Sequence, residues 1–528
     1  MKNKIYIKEW LSTKPYQKHT ETDSYYLEVS NQVYAVIQKH YNYKILKSLL
    51  HEKDIKLLSV ILVCYFEDII SNAGIWKTFT GLCEQKFGKP LPYYDLNNYE
   101  RDETNVQDIS FLIWNFINTY SENTLINPND HLAIEFSSPI LDLLDKEWQY
   151  APENENLVNY YQLKDYKGKD EFYKVRSIVE KFMFDNWLLS QDFLNEFVDE
   201  CDRINNDKDI DDDMREKYLY ETKDNIVLNS KSKLLNLYGK EWLTHYLGES
   251  HELYDDLLNM SKKINGIFKL IDQNSKYYIV EYIATDKTFK LLKSSLDMLE
   301  NFRYDKLYYL GIVRWKNEWV FSGILSEVEY NQKIIDREKS KPSSLNASSF
   351  LQSEEDQKTI NDVLDKQLKA FKVIADGELI VNLPAKEVKT FLNQFNAAYH
   401  KFLGLSDDEI VNPKDELSNQ FDDAKDIVSI FFNPKAGIEN YFNFESAFPM
   451  KNNIFFDEDY AYDDIDGLIK TDFISPELVK YCFKEFRDSR FYKEYIEKNP
   501  WVKDLEFTLA YYRKNSYKTF PKITLTNK

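Results

Sequence analysis

The sequence predicts an α+β protein of more than one domain. Three observations carry this. The chain has 528 residues, too many for one hydrophobic core. Glycine and proline number only 13 and 14, which favours long regular elements over a turn-rich all-β fold. The hydrophobic spacing also changes along the chain, from helical periods to short β-type runs near residue 260. The expected order is a mainly α-helical domain over 1–260 and a small five-stranded SH3- or OB-like β-barrel over 261–335. A linker over 336–357 and a C-terminal α+β domain over 358–528 follow.

The helical half shows its elements by spacing. Thr22 and Asp23 are start signals for a helix over Ser24–Lys39. The run Leu57–Ile70 is the most apolar in the chain, but it is too short to span a bilayer and carries Glu67 and Asp68. It reads as a buried core helix. DISFLIWNFINTY predicts a helix over Asp108–Tyr120, and Ser177–Cys201 reads as one long helix. Proline-marked loops at 88–94, 126–130 and 150–156 separate them.

Five β-type runs then follow within about 60 residues: 266–271, 277–283, 288–292, 308–314 and 319–325. The last two meet near Lys316-Asn317. This is a meander plus a hairpin, hence the barrel. Residues 336–357 are Ser-rich and charged, which suggests an exposed linker. Beyond it, Asp376-Gly377 predicts a hairpin within 370–383. Pro384 opens a helix ended by Gly404, Val428–Phe432 is a strand, and Ser475 caps a late helix.

Composition narrows the function classes. With 43% hydrophobic and 16% aromatic residues, real cores are available and wholesale disorder is excluded. The 68 basic and 88 acidic residues give a net charge of −20. That charge repels phosphate backbones and anionic membranes, so neither nucleic acid nor membrane is the expected partner. The four cysteines, Cys64, Cys83, Cys201 and Cys482, form no C-x-x-C pair, which fits reduced thiols. The first 16 residues lack the apolar core of a signal peptide. A cytoplasmic location is the expectation.

Few motifs point to chemistry. Asn433-Pro434-Lys435-Ala436-Gly437 resembles the strand-ending turn of diacylglycerol- and sphingosine-kinase-like domains. The glycine-rich loop those enzymes also need is missing, since the chain has no Gly-Gly dipeptide. The segment therefore reads as a turn. No P-loop, G-x-G-x-x-G, G-x-S-x-G or H-E-x-x-H is present.

Asn205, Asp207, Asp209, Asp211, Asp213 and Glu216 have the spacing of an EF-hand loop, which would take Ca²⁺ or another divalent ion. Ile210 stands where the sharp turn needs glycine, and an acidic, solvated loop is the simpler reading. A second acidic cluster contains Asp457, Asp459, Asp463 and Asp464. With Trp315 and Trp319 of the barrel, it makes a candidate interaction surface. The barrel's nine basic and nine acidic residues over 264–330 do not form a funnel for single-stranded nucleic acid. No cofactor is expected.

The stretches EWLSTKPYQKHTETDSYYLEVSN (9–31), FGKPLPYYDLNNYERDETNVQDISFLIWNF (87–116) and FFNPKAGIENY (431–441) resemble an uncharacterised family of large cytoplasmic proteins from Bacteroidetes-type bacteria. The resemblance runs along most of the chain. It implies an architecture and no activity.

The leading expectation is a non-enzymatic cytoplasmic protein, adaptor or immunity-like, that binds another protein. The alternatives are a metal-dependent hydrolase or calcium-binding protein using the acidic loops, and a nucleic-acid binder using the barrel.

Overall fold

The computed structural model describes residues 4–120, 126–164, 166, 171–208, 210–296, 302–404, 426–514, 516–517 and 521. It is α+β, with a five-stranded and a three-stranded sheet among many helices. The chain divides into two compact units, Met1–Ala347 and Ser348–Lys528.

In the first unit, Thr20 opens the helix Glu21–Lys39. Its backbone N–H donates to Asp23 Oδ2 at 2.6 Å, so the start lies three residues before the predicted Ser24. The helix Glu52–Ser71 is the core element expected, with Leu58 to Phe66 buried. Trp76 of the helix Ile75–Phe87 packs edge-on against Tyr65 at 5.3 Å. The helix Val106–Tyr120 lies beside His131–Glu147.

The predicted helix over 177–201 is two helices, Phe172–Phe184 and Ser190–Asn206. Asn186 breaks it: its side-chain oxygen accepts from Leu188 N at 2.9 Å, a local bond that competes with the helical ladder.

Each of the five predicted β runs is a strand: β1 (Ile264–Gln273), β2 (Tyr277–Tyr282), β3 (Lys287–Leu292), β4 (Lys306–Trp315) and β5 (Glu318–Glu329). They pair in the closed order β1-β2-β3-β5-β4. All joins are antiparallel except β3 with β5, which meet in parallel at Leu291 and Trp319. Lys316 and Asn317, with φ of 47° and 65°, make the β4–β5 turn.

Residues 336–357, read by composition as a linker, carry mostly helix: Gln332–Ser340, Pro342–Asn346 and the start of Glu354–Ile374. Pro342 in a first turn, and Ser353 capping Asp356 N at 3.1 Å, are helix starts inside a polar stretch. The division between the units falls here, at Ala347 and Ser348.

The second unit holds the antiparallel sheet β6 (Ile380–Pro384), β7 (Ile427–Asn433) and β8 (Gly437–Phe442), with β7 central. The predicted hairpin at 370–383 is absent, because residues up to Ile374 belong to the helix Glu354–Ile374. Asp376 and Gly377, with φ of 49° and 91°, end that helix, and Gly377 N donates to Lys372 O at 2.8 Å. Phe371 from this helix and Phe391 and Phe395 from Ala385–Phe402 bury one sheet face with Val428, Ile430 and Phe432.

The Asn433–Gly437 stretch is the β7–β8 turn. Asn433 Oδ1 accepts from Lys435 N at 2.9 Å, Gly437 has φ of 101°, and Lys435 pairs outward with Glu477 at 3.1 Å. Ser475 caps the helix Pro476–Glu485 as predicted, accepting from Leu478 N at 3.3 Å.

Candidate binding cleft

A polar cleft of about 780 Å³ lies in the first unit, between the 97–105 loop with the start of the helix Val106–Tyr120 and the end of the helix His131–Glu147. Asn105 gives the loop its shape. Its side-chain N–H groups donate to Glu100 O at 2.8 Å and Glu103 O at 2.9 Å, while its oxygen accepts from Glu100 N at 2.9 Å. Asn98 and Asp102, with φ of 64° and 63°, let the loop turn without glycine.

Behind Asn105 lies Asp108, fully buried in the first turn of Val106–Tyr120. It accepts from Tyr65 OH at 2.7 Å and from Asn105 Nδ2 at 3.2 Å. Burial pushes its carboxyl up to about 7, against hydrogen bonds that pull the other way. The loop is thereby fastened to the core helix Glu52–Ser71 through Tyr65.

The cleft surface is acidic. Glu100, Glu103 and Asp145 line it with Asn97, Gln107 and Trp148, and no Lys or Arg is among the described lining residues. Glu100 raises the Glu103 carboxyl by charge repulsion and a shared hydrogen bond. Two nearby cations are used elsewhere: Arg101 pairs with Glu84 at 2.6 Å and Lys77 with Asp102 at 3.0 Å. Trp148 is 37% exposed, with its ring 6.1 Å from Phe66. Three carboxylates with no ion pair among the described residues, beside an accessible indole, suit an ammonium or guanidinium group.

The residues singled out from sequence lie elsewhere. Asn205 is in the last turn of the helix Ser190–Asn206, Asp207 follows the helix, and Asp209 lies outside the described residues. Asp211 caps the helix Asp212–Asn229 by accepting from Met214 N at 2.8 Å, and Asp213 and Glu216 are on that helix. Part of the expected ligand loop is thus helix. Among the described residues, no group of three or more His, Cys, Asp or Glu side chains could hold a metal ion.

Asp457 and Asp459 are exposed, whereas Asp463 and Asp464 are in the first turn of the helix Ala461–Lys470 and not in a loop. Asp464 accepts from Ser446 N at 2.9 Å, and burial pushes it up to about 6. Trp315 is 5% exposed and packs near Phe172, so it is a core residue and not a contact surface. Trp319 is half-buried, edge-on to Phe289 at 4.8 Å.

Two buried ionic networks had no sequence signal. In one, Lys263 at the edge of β1 pairs with Glu221 and Asp224 of the helix Asp212–Asn229, and Arg176 also pairs with Asp224. Ser322 of β5 donates to Asp224, and Asn265 to Glu221 at 2.7 Å. In the other, Lys14 pairs with Glu67, which also accepts from Asn154 Nδ2 at 2.8 Å. The partners in each network come from segments far apart in the chain, which no local motif records.

A family model described as a protein of unknown function, DUF3843, matches residues 4–274. This is just over half of the 528 residues. The chain belongs to the DUF3843 family. No curated protein and no solved structure matches it. The DUF3843 match covers the whole cleft, the Lys14–Glu67 pair and Lys263 with Glu221 and Asp224, and it ends at the end of β1. The family description carries no activity. Among the described residues, no single helix is long and apolar enough to cross a membrane; the pair Glu52–Ser71 and Ile75–Phe87 reaches that length and composition together, but it is bent by 89°.

Proposed function

We propose that this chain is a non-enzymatic cytoplasmic protein, adaptor or immunity-like in role, which binds a partner carrying a basic segment. The single observation that carries this is the cleft where Glu100, Glu103 and Asp145 stand without cations beside Trp148. A lysine or arginine side chain of the partner fits that chemistry: carboxylates accept its hydrogen bonds, and the indole face receives its charge. The net charge of −20 adds long-range attraction, which raises the association rate more than the final affinity.

The test is a pull-down of the tagged full chain from its native lysate, beside a Glu100→Gln/Glu103→Gln/Asp145→Asn variant. The expected result is a stoichiometric basic partner on the parent chain, lost from the variant and weakened by salt, with melting unchanged. Equal retention by both chains would remove the cleft from the interface. A partner-free protein carrying a small molecule would point to an enzyme instead.

A further inference from the structure

Cys64 and Glu67 lie three positions apart on the helix Glu52–Ser71, so both present to the same neighbour. That neighbour is Thr13-Lys14, just after the short helix Ile7–Leu11. Lys14 Nζ is 3.5 Å from Cys64 Sγ and ion-pairs with Glu67. Thr13 Oγ1 lies 3.4 Å from the same sulfur. The ammonium also sits 3.8 Å over the Trp10 ring. Lys14 is 7% exposed and Cys64 1%.

A surface lysine would hold this geometry only at the expense of its side-chain entropy. Here the amine, the thiol and a proton acceptor are locked in one place. Burial holds the resting sulfur as the thiol, and the Glu67 carboxylate keeps Lys14 protonated despite its burial.

We propose that Lys14 and Cys64 form a modification site, joined under peroxide through one bridging oxygen as Nζ–O–Sγ. In the first step the Cys64 sulfur attacks peroxide: an S–O bond forms, the O–O bond breaks, and water leaves a sulfenic acid. Lys14 and Thr13 stand where they can donate to that new oxygen. In the second step Glu67 takes a proton from the Lys14 ammonium. A second peroxide takes two electrons as its O–O bond breaks: one amine N–H and the sulfenic O–H are lost, the N–O bond forms, and the two peroxide oxygens leave as two waters. One thiol and one amine lose four electrons to two peroxides, and the protein gains one oxygen and loses two hydrogens. Two equivalents of dithiol reverse this to thiol, amine and water. The bridge ties the segment around Trp10 to the core helix.

The test treats the full chain with hydrogen peroxide, followed by intact mass, peptide mapping and dithiothreitol reversal. The expected product is a linked peptide pair carrying Lys14 and Cys64, with that mass change, restored by dithiothreitol and absent from Cys64→Ser. Cys201, half-buried and with no lysine contact among its described interactions, serves as the internal control. An unlinked Lys14 with Cys64 either untouched or carried to sulfinic acid, while Cys201 oxidises, would overturn the proposal. The parent chain gives the linked mass and its reversal by itself, so the reading does not depend on whether the Cys64→Ser chain folds.

Discussion

Lys263 Nζ stands 2.7 Å from Asp224 Oδ2, and neither side chain reaches solvent. This contact ties β1 of the closed sheet to the helix Asp212–Asn229. Lys263→Met removes the cation and leaves Glu221 without its ion pair, while Asp224 keeps Arg176. Breaking a buried pair from one side costs about 3–5 kcal/mol. The expected outcome is a lower urea midpoint in the transition of the first unit. A midpoint within error of the parent would show that the network contributes nothing to stability.

Gly323 of β5 tests the same network from the backbone. It has φ of 91°, and a Cβ there would run into Glu221 Oε2 and Lys263 Nζ. Gly323→Ala is therefore strained twice, by its backbone and by displacing the ion pair. It should destabilise the first unit by about 2 kcal/mol or more, read by thermal melting. A neutral result would mean that the two charged side chains move aside freely.

Asp68 and Asp108 give the first unit a pH dependence. Burial pushes both up to about 7, from about 3.8 unfolded. Between those values the folded chain holds protons that the unfolded chain has released, so stability falls as pH rises from about 4 to 7. Above 7 this contribution is gone and the curve flattens. Asp108→Asn removes one of the two groups and should make the fall shallower. Urea midpoints measured from pH 5 to 8 read it, and an unchanged slope would count against a protonated Asp108.

The Asn433–Gly437 turn separates structure from chemistry. Gly437→Ala forces φ of 101° on a residue with a Cβ and should cost about 1–3 kcal/mol. Lys435, 67% exposed at its side chain, pairs with Glu477, and Lys435→Ala should shift stability by less than about 1 kcal/mol. Inorganic phosphate should not raise the melting temperature of the parent chain. A phosphate-dependent rise lost in Lys435→Ala would revive the phosphate-cradle reading.

Among the described residues, no carboxylate pairs with the buried guanidinium of Arg513. It donates instead to the carbonyls of Leu468, Ile469 and Ile474, at the end of the helix Ala461–Lys470 and just beyond it. Burial pulls it down to about 10. Arg513→Met leaves those carbonyls without donors, each costing about 1–3 kcal/mol. The second unit should melt earlier, and Arg513→Lys should recover only part of the loss, since one ammonium cannot match the fork.

What the sequence made legible follows from how local each signal is. The five strands of the closed sheet were readable because alternation and turn residues act over a few positions. The helix C-cap at Asp376-Gly377 was misread because the same dipeptide serves a hairpin and an αL cap, and Val373 and Ile374 favour the strand reading. The break at Asn186 hid inside an apolar period that continues across it. The cleft was missed because its walls come from 97–107 and 141–149, joined only in space. The signal was present in the amide- and acid-rich LNNYERDETN, with Trp148 too far away in sequence to be associated with it.

The closing join of the five-stranded sheet differs in kind from the others. Four joins are antiparallel ladders, while among the described residues the β3–β5 backbone pairing is the single parallel match of Leu291 with Trp319. Side chains fasten this seam: Trp319 lies against Phe289, Ser295 Oγ accepts from Phe321 N at 3.0 Å, and Tyr173 OH is 2.9 Å from both Ser295 O and Phe321 O. The ring is in effect a ribbon held shut by a clasp, and one phenol on the helix Phe172–Phe184 is part of the catch. A load on that helix would be felt first at the clasp, so the sheet has a built-in place to open while its four ladders stay whole.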